Sequence, residues 1–380
     1  MDADIFHNIA WSTYKATIFS ELHKKAKASH LSIGFCHIAE TERSRLAISA
    51  VDRLRHDYPH RVLFSGAYED TSFWQRAYCL LLEILKSDSK VIVLPGYHLI
   101  EYWLMLIVAK LKGRRVAVFC DSTGRDRNTS RLKSIAKRIF FVCCDGYFAY
   151  GKRSKDYLIS HGATAATIFQ DCQAAALPAT YSAKDIHANR LAALRDANGG
   201  RFRLLYVGRL APEKRVDLLL LSVARLRSHG IDVDVRVVGA GPEGKLLFRL
   251  AVELGIQEHV SFEGSCTSAG LASYYESSHA LVLPSDSEPW GLVVNEALSY
   301  GCPAIVSDVC GCIPELIEEG EAGFSFTAGS VEDLVRKTIK LQHDYDIDFW
   351  FARCTKTILK YSPERAASNI LAGCMRLRAM

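Results

Sequence analysis

The stretch SEPWGLVVNEAL, Ser287–Leu298, sets two glutamates, Glu288 and Glu296, around a Pro-Trp-Gly elbow that runs into an apolar helix. Pro289 and Gly291 forbid a helix continuous from Glu288, so the helix begins near Leu292 and Glu296 sits about one turn inside it. The amides of Gly291, Leu292 and Val293 then lack partners within the helix, and the positive end of its dipole lies behind them. Such a helix start cradles a phosphate or a sugar oxygen. An ionised carboxylate on each side accepts hydrogen bonds from vicinal hydroxyls. The plainer alternative is one acid favouring the dipole and one solvated surface acid.

Two further loops invite the same chemistry. In VGRLAPEKR, Gly208 permits a sharp turn, Pro212 suits a helix start, and Arg209 and Lys214 flank it. A planar fork and a point charge together form a pyrophosphate clamp, although a solvated basic turn fits equally well. Arg215 and Glu213 read as surface residues. The glycine-rich turn at 239–244, GAGPEG, resembles a phosphate loop but is also ordinary punctuation between a strand and a helix.

These loops need strands behind them. Short apolar runs at Leu31–Ile38, Val62–Ser65, Val91–Leu94, Val116–Cys120 and Tyr147–Tyr150 alternate with helical patterns at Thr13–Ala26, Thr41–Asp57, Phe73–Lys86, Leu99–Lys112, Arg131–Phe141 and Arg153–His161. Residues 171–200 hold the alanine-rich, helix-like CQAAALPATYSA and an Asn-Gly-Gly turn at 198–200, and read as a linker. The alternation then resumes: strands Phe202–Val207, Asp232–Val238, Val260–Glu263, Ala280–Leu283 and Ala304–Ser307, with helices Val216–His229, Gly244–Leu254, Ala269–Ser277 and Leu292–Tyr300 between them. The pattern predicts an α/β protein of two doubly wound parallel sheets. Ligands of such sheets bind beyond the carboxyl ends of the strands, so the expected site is a cleft between the two.

Composition narrows the class. The chain has 380 residues, enough for two cores, with 49% apolar and 23% charged residues. A net charge of +5 is far from the dense basic footprint of a nucleic-acid binder. Twelve cysteines show no CxxC pair, which argues for buried reduced thiols in a cytoplasmic protein and against a zinc site. The N-terminus lacks a signal-peptide pattern, and the longest apolar run, Tyr102–Ala109, is too short to span a bilayer. The cations Arg127, Arg131, Lys133, Lys137 and Arg138 on one predicted helix fit either contact with the inner, anionic face of a membrane or a solvated charged face.

The motifs VGRLxxxK, VVGxGP, FxG and PSxxEPWGLVVNEALxxGxPxIxSDxxGxxPELI, in that order over about Phe202–Phe326, resemble the C-terminal domain of glycosyltransferase family 4. These are retaining enzymes of the GT-B fold, with two Rossmann-like domains facing a cleft, as in bacterial polysaccharide transferases. The resemblance implies an acceptor-binding domain over 1–170, a nucleotide-sugar-binding domain over 201–362, and a last helix, 363–380, crossing back to the first domain. It implies that Arg209 and Lys214 bind the donor diphosphate, that Glu288 contacts the donor sugar, and that Glu296 takes the ribose hydroxyls. Phe262 and Gly264 would lie near the base and Gly239 near the donor, while Gly301, Pro303 and the turn at 311–317 would be structural.

The first domain departs from the family. Where members carry a Gly-Gly turn after the first strand, this chain reads HNIAWSTYK, which removes that phosphate contact or moves it to Ser12 or Thr13. In place of a family histidine stands FCDSTGRDR, which makes Asp121, with Ser122, a candidate for the catalytic or acceptor side; a helix-capping role is the alternative. His98 is an acceptor-side candidate or a helix-start residue. The implied reaction moves a sugar from UDP- or GDP-sugar to a hydroxyl of a glycan or lipid-linked glycan, with no metal and no cofactor. The rival readings are a non-catalytic nucleotide-sugar-binding subunit and a GT-B epimerase or phosphorylase.

Overall fold

A computed structural model describes residues 1–43, 56–124, 131–175, 177, 181–195 and 201–380. The predicted helix over 41–57, Arg127 and the turn at 198–200 therefore fall wholly or largely outside the described residues. The chain divides into two compact units, Met1–Ala176 with Tyr361–Met380, and Leu177–Lys360.

In chain order the first unit contains β1 (Ala3–Ile9), α1 (Thr13–Ala28), β2 (Ile33–Thr41), β3 (Arg61–Ala67), α2 (Phe73–Lys86), β4 (Val91–Leu94), α3 (Ile100–Leu111), β5 (Arg115–Cys120), α4 (Arg131–Cys143), β6 (Gly146–Ala149), α5 (Lys152–Ser160) and β7 (Ile168–Phe169). The second contains α6 (Ala183–Arg195), β8 (Phe202–Val207), α7 (Val216–Ser228), β9 (Val233–Val238), α8 (Gly244–Glu253), β10 (Val260–Gly264), α9 (Ser268–Glu276), β11 (Ala280–Leu283), α10 (Leu292–Ser299), β12 (Ala304–Ser307), α11 (Ile313–Leu316), β13 (Gly323–Phe326), α12 (Val331–His343) and α13 (Ile347–Ile358). The last helix, α14 (Pro363–Ala379), belongs to the first unit.

Both sheets are parallel throughout. Their orders are β3-β2-β1-β4-β5-β6-β7 and β10-β9-β8-β11-β12-β13. In each, the chain starts near the middle, runs to one edge and returns to the other side, so the direction of winding reverses between β1 and β4 and between β8 and β11. Loops at the carboxyl ends of those strands form the crevice where such sheets take ligands.

The central strands of the first sheet are buried on both faces, while the edge strand β3 is largely exposed. Alternation sends Phe6, Ile92, Leu94, Val116 and Val118 into the core beneath α2–α5, and Ile5, Val91, Val93, Ala117 and Phe119 into the core beneath α1 and α14. Gly146 in β6 is fixed by that second layer, because a Cβ there would lie 2.7 Å from Leu377 of α14.

The sequence reading lists no strand before Leu31, yet β1 is the central strand of its sheet. Asp4, His7 and Asn8 break its apolar run, and all three are held by neighbours: Asp4 by Ser87 at 2.5 Å, His7 by the Ile9 carbonyl at 3.1 Å, and Asn8 by Tyr102 at 2.5 Å. The reading also lists neither β7 nor β13. The segment read as a linker is divided. Residues 171–175 carry no regular structure, and the helix begins only at Ala183. Its Arg190 is fully buried in the second unit, where it donates to the carbonyls of Tyr275 at 2.5 Å and Ser278 at 3.1 Å.

None of the twelve cysteines is joined in a disulfide. Among the described residues no helix is long and apolar enough to cross a membrane.

Candidate functional site

The second unit's crevice is built by the loops after β8 and β11. β8 is buried except at Arg203 and delivers the backbone to Gly208. The loops after β8 and β9 then lie backbone against backbone: the Leu210 amide donates to Ala240 O and the Glu243 amide to Leu210 O, each at 3.0 Å. A Cβ at Gly239 would come within 1.8 Å of Gly208 O, and one at Gly241 within 2.2 Å of Leu210 O. Glycine is thus required at both positions by packing, whatever ligand lies near them. The Gly239 amide donates to Gly264 O at 2.7 Å, tying the end of β10 to the same layer. Phe262 packs beside Phe248 against the core, with ring centroids 6.1 Å apart.

Lys214 and Glu288 meet across the reversal point. The Lys214 ammonium donates to Glu288 at 2.6 Å, and each side chain is less than a fifth exposed. A second tie between the loops is the Asp286 amide on Glu213 O at 2.9 Å. Arg209, 59% exposed, pairs with Glu213 at 2.6 Å. The Glu213 carboxyl is held below its usual range by its own backbone amide and by Arg209. Arg215 is occupied by Asp217 and Asp286, which raise its pKa. The sequence reading gives Lys214 and Glu288 separate ligands. Here they form one ion pair, and the remaining donors of the ammonium and the second carboxylate oxygen leave each able to bind more.

The elbow owes its shape to packing. Gly291, in the left-handed region at φ +100°, sits at the N-terminus of α10, where no side chain among the described residues caps the helix. Among the described residues no partner is found for the amides of Gly291, Leu292 and Val293, and the Val294 amide bonds back to Gly291 O at 2.9 Å. The buried Trp290 indole donates to Asn295 at 2.8 Å. The Gly311 amide donates to Glu288 O at 2.9 Å, and a Cβ on Gly311 would lie 1.7 Å from Pro289 O. The turn at 311 therefore fits only a glycine.

Sequence reasoning missed the support of Glu296. Its carboxylate accepts from the hydroxyl of the buried Tyr275 at 2.7 Å, and that ring stacks on Tyr300 with centroids 5.5 Å apart. Burial, then Glu296, pushes the Tyr275 pKa well up, which keeps the hydroxyl a donor. Nothing in the local pattern of α9 sets Tyr275 apart from a core tyrosine.

In the first unit, Asp121 is exposed directly after β5, and its carbonyl accepts from Ser154 at 3.2 Å. The next described helix starts at Arg131, so Asp121 does not cap it. The Ser122 hydroxyl lies 2.6 Å from that of Tyr97 in the loop after β4, which brings the Asp121 and His98 loops together. His98 is exposed and stands edge-on to Tyr102. At the start of α1, the Ser12 hydroxyl and the Lys15 ammonium are both buried and, among the described residues, have no hydrogen-bond partner. The ammonium lies over the rings of Phe119 at 4.5 Å and Tyr150 at 4.7 Å, and burial lowers its pKa to about 8. On the sequence, Lys15 is indistinguishable from a surface lysine of an amphipathic helix.

Residues 193–349 match the family model described as glycosyl transferases group 1. The fold is GT-B. Structures spanning nearly the whole chain carry this point: a lipopolysaccharide outer core galactosyltransferase in apo form (TM-score 0.72, 19% identity, 98% of this chain and 99% of that one) and Anabaena HepE in complex with UDP and glucose (TM-score 0.73, 15% identity, 99% of each). Among curated proteins, sequence identity is 33% over 149 residues with a D-inositol 3-phosphate glycosyltransferase of Streptomyces bingchenggensis, covering 37% of this chain and 32% of that protein. It reaches 35% over 144 residues with a sulfoquinovosyl transferase of Arabidopsis thaliana, covering 37% and 26%. The chain thus matches a third or less of the length of these relatives, and the family match at 193–349 spans Lys214, Glu288 and Glu296.

Proposed function

We propose that the protein is a retaining, metal-independent glycosyltransferase of family 4. In this reading it moves a sugar from a nucleotide diphosphate sugar to a hydroxyl of a glycan or lipid-linked glycan during cell-surface polysaccharide synthesis. The observation that carries the reading is the Lys214–Glu288 pair at the winding reversal of the second sheet, beside an uncapped helix start with Glu296 one turn inside. That set supplies what the two ends of a donor need. Arg209, Lys214 and the amides of 291–293 meet the charge that grows on the leaving diphosphate. Glu288 takes hydroxyls of the transferred sugar, and Glu296, fixed by Tyr275, takes those of the ribose.

The charge supplied by these groups makes a bound metal unnecessary for leaving-group departure. In a retaining reaction the departing phosphate oxygen accepts the proton of the attacking hydroxyl, so no separate base is required. Asp121, Ser122 and His98 are the acceptor-side candidates. Fold relatives bound to UDP and UDP-glucose favour a uridine donor over a guanosine one.

A thermal-shift screen of UDP, GDP and their sugars tests the reading. A ligand at a hundredfold excess over its Kd stabilises by about 2.7 kcal/mol. A rise in Tm with one nucleotide family supports it; no response to any of them refutes it.

A further inference from the structure

A fully buried arginine stands behind the support of Glu296. Among the described residues, no carboxylate pairs with Arg190 of α6, although its side chain is shut off from water. A guanidinium in that position works against folding unless its donors are satisfied. Its planar fork converges on the C-terminal end of α9. It donates to the carbonyls of Tyr275 at 2.5 Å and Ser278 at 3.1 Å, and to the Tyr345 hydroxyl at 2.9 Å. A helix end leaves such carbonyls without partners inside the helix, and its dipole favours a cation there. The point charge of a lysine could not hold these acceptors in one plane.

A second anchor comes from the residues just before α6. The Tyr181 hydroxyl donates to the carbonyl of Ser299, the last residue of α10, at 2.5 Å, and its ring stands edge-on to Tyr300 with centroids 6.1 Å apart. Tyr300 in turn carries the stacked ring of Tyr275, whose hydroxyl is held on Glu296. Tyr275 is thus fixed at its backbone by Arg190, on its face by Tyr300 and at its hydroxyl by Glu296. His187, also on α6, ties the helix elsewhere, to Asp348 of α13 at 2.6 Å.

We infer that Arg190 and Tyr181 are positioning residues that act through Tyr275 to hold the Glu296 carboxylate where it tells a ribose from a sugar lacking its hydroxyls. The inference rests on the reading that Glu296 takes the ribose of a nucleotide donor. It goes beyond that reading in assigning sugar selectivity to the start of the second unit, which supplies no ligand contact in it. Charge-assisted hydrogen bonds to two vicinal hydroxyls depend on direction, so a carboxylate free to swing keeps its charge and loses the discrimination.

The experiment is calorimetric titration of UDP and of 2′,3′-dideoxy-UDP into the full chain. The parent binds UDP about tenfold or more tightly than the dideoxy form, the value of two hydroxyls on a carboxylate. Arg190→Lys and Tyr181→Phe each narrow that ratio by about two- to fivefold, no more than loss of the Tyr275–Glu296 bond itself, and leave the dideoxy dissociation constant near the parent's. His187→Ala removes an anchor of α6 outside this chain of contacts and leaves the ratio as it was. In a Glu296→Gln background Tyr181→Phe changes nothing further, because the group it positions is gone. Should Arg190→Lys fail to fold, Tyr181→Phe decides the matter alone. An unchanged ratio in the variants, with both nucleotides weakened equally, makes these residues purely structural and overturns the inference while the donor reading stands. A parent that binds neither nucleotide, or both equally well, overturns the reading of Glu296 and the inference with it.

Discussion

The two units place a lysine near the same topological position in different ways. In each, a central strand ends in a tight turn that leads into a helix. In the second unit that turn carries Arg209 and Lys214, each paired with a glutamate at 2.6 Å. In the first it leads to Lys15, which is buried among aromatic rings and, among the described residues, has no hydrogen-bonding partner. A paired cation near the surface costs little to keep. A buried, unpaired ammonium works against folding and is retained where the site gains from it. The comparison casts the second unit as the one whose cations pair with carboxylates, and the first as the one that holds an ammonium against aromatic rings.

The largest effect expected is on turnover. Lys214→Ala removes a preorganised charge aimed at the leaving group and lowers kcat by about a hundred- to a thousandfold, while Tm stays near that of the parent. A large loss of Tm together with activity would instead make the Lys214–Glu288 pair structural.

Lys15→Met moves stability the other way. With the Lys15 pKa lowered by burial to about 8, the native state holds that proton less well than the unfolded chain does. The penalty is complete below pH 8 and fades as pH rises toward 10.5. At pH 7 the substitution stabilises by up to about 3 kcal/mol, less the lost ring contacts. Denaturant midpoints at pH 7 check this, and a destabilised Lys15→Met protein would break the contrast between the units.

Acid sharpens the contrast. His7 is held to about 3, by burial first and Lys15 second, and His37 is well below its usual range by burial and neighbouring histidines. Both are neutral in the native state and charge on unfolding. Their contribution is full above pH 6.5 and is lost as pH falls toward 3. At pH 5 His7 alone accounts for about 2 kcal/mol. His7→Gln narrows the gap in stability between pH 7.5 and pH 5 by that amount. The second unit holds a comparable group in His279, lowered to about 4 by burial and then Arg190.

The smallest effect is expected at Tyr275→Phe. It removes one hydrogen bond from Glu296 and weakens donor binding by about 1 kcal/mol, read as a severalfold rise in donor KM at unchanged kcat.

The same two regions show what the sequence discloses. β4, β5, β8, β11 and β12 are legible because VIVL, VAVFC, LLYV, ALVL and AIVS are short apolar runs. The Pro-Trp-Gly elbow is legible because proline and glycine fix where α10 starts. β1 is hidden because Asp4, His7 and Asn8 look like loop residues until Ser87 and Tyr102, from distant parts of the chain, satisfy them. α6 is displaced from the alanine-rich stretch because burial of Arg190, not alanine content, fixes it. In the site, Arg209, Lys214, Glu288 and Glu296 follow from local motifs. Tyr275 and Lys15 do not, since what distinguishes them is a contact made in three dimensions.

The most direct test of the central claim is calorimetric titration of UDP into the parent protein and into Arg209→Ala with Lys214→Ala. The account expects the parent to bind and the double variant to bind at least about a hundredfold more weakly, the loss of two charge-assisted contacts. Equal dissociation constants for the two proteins would contradict it.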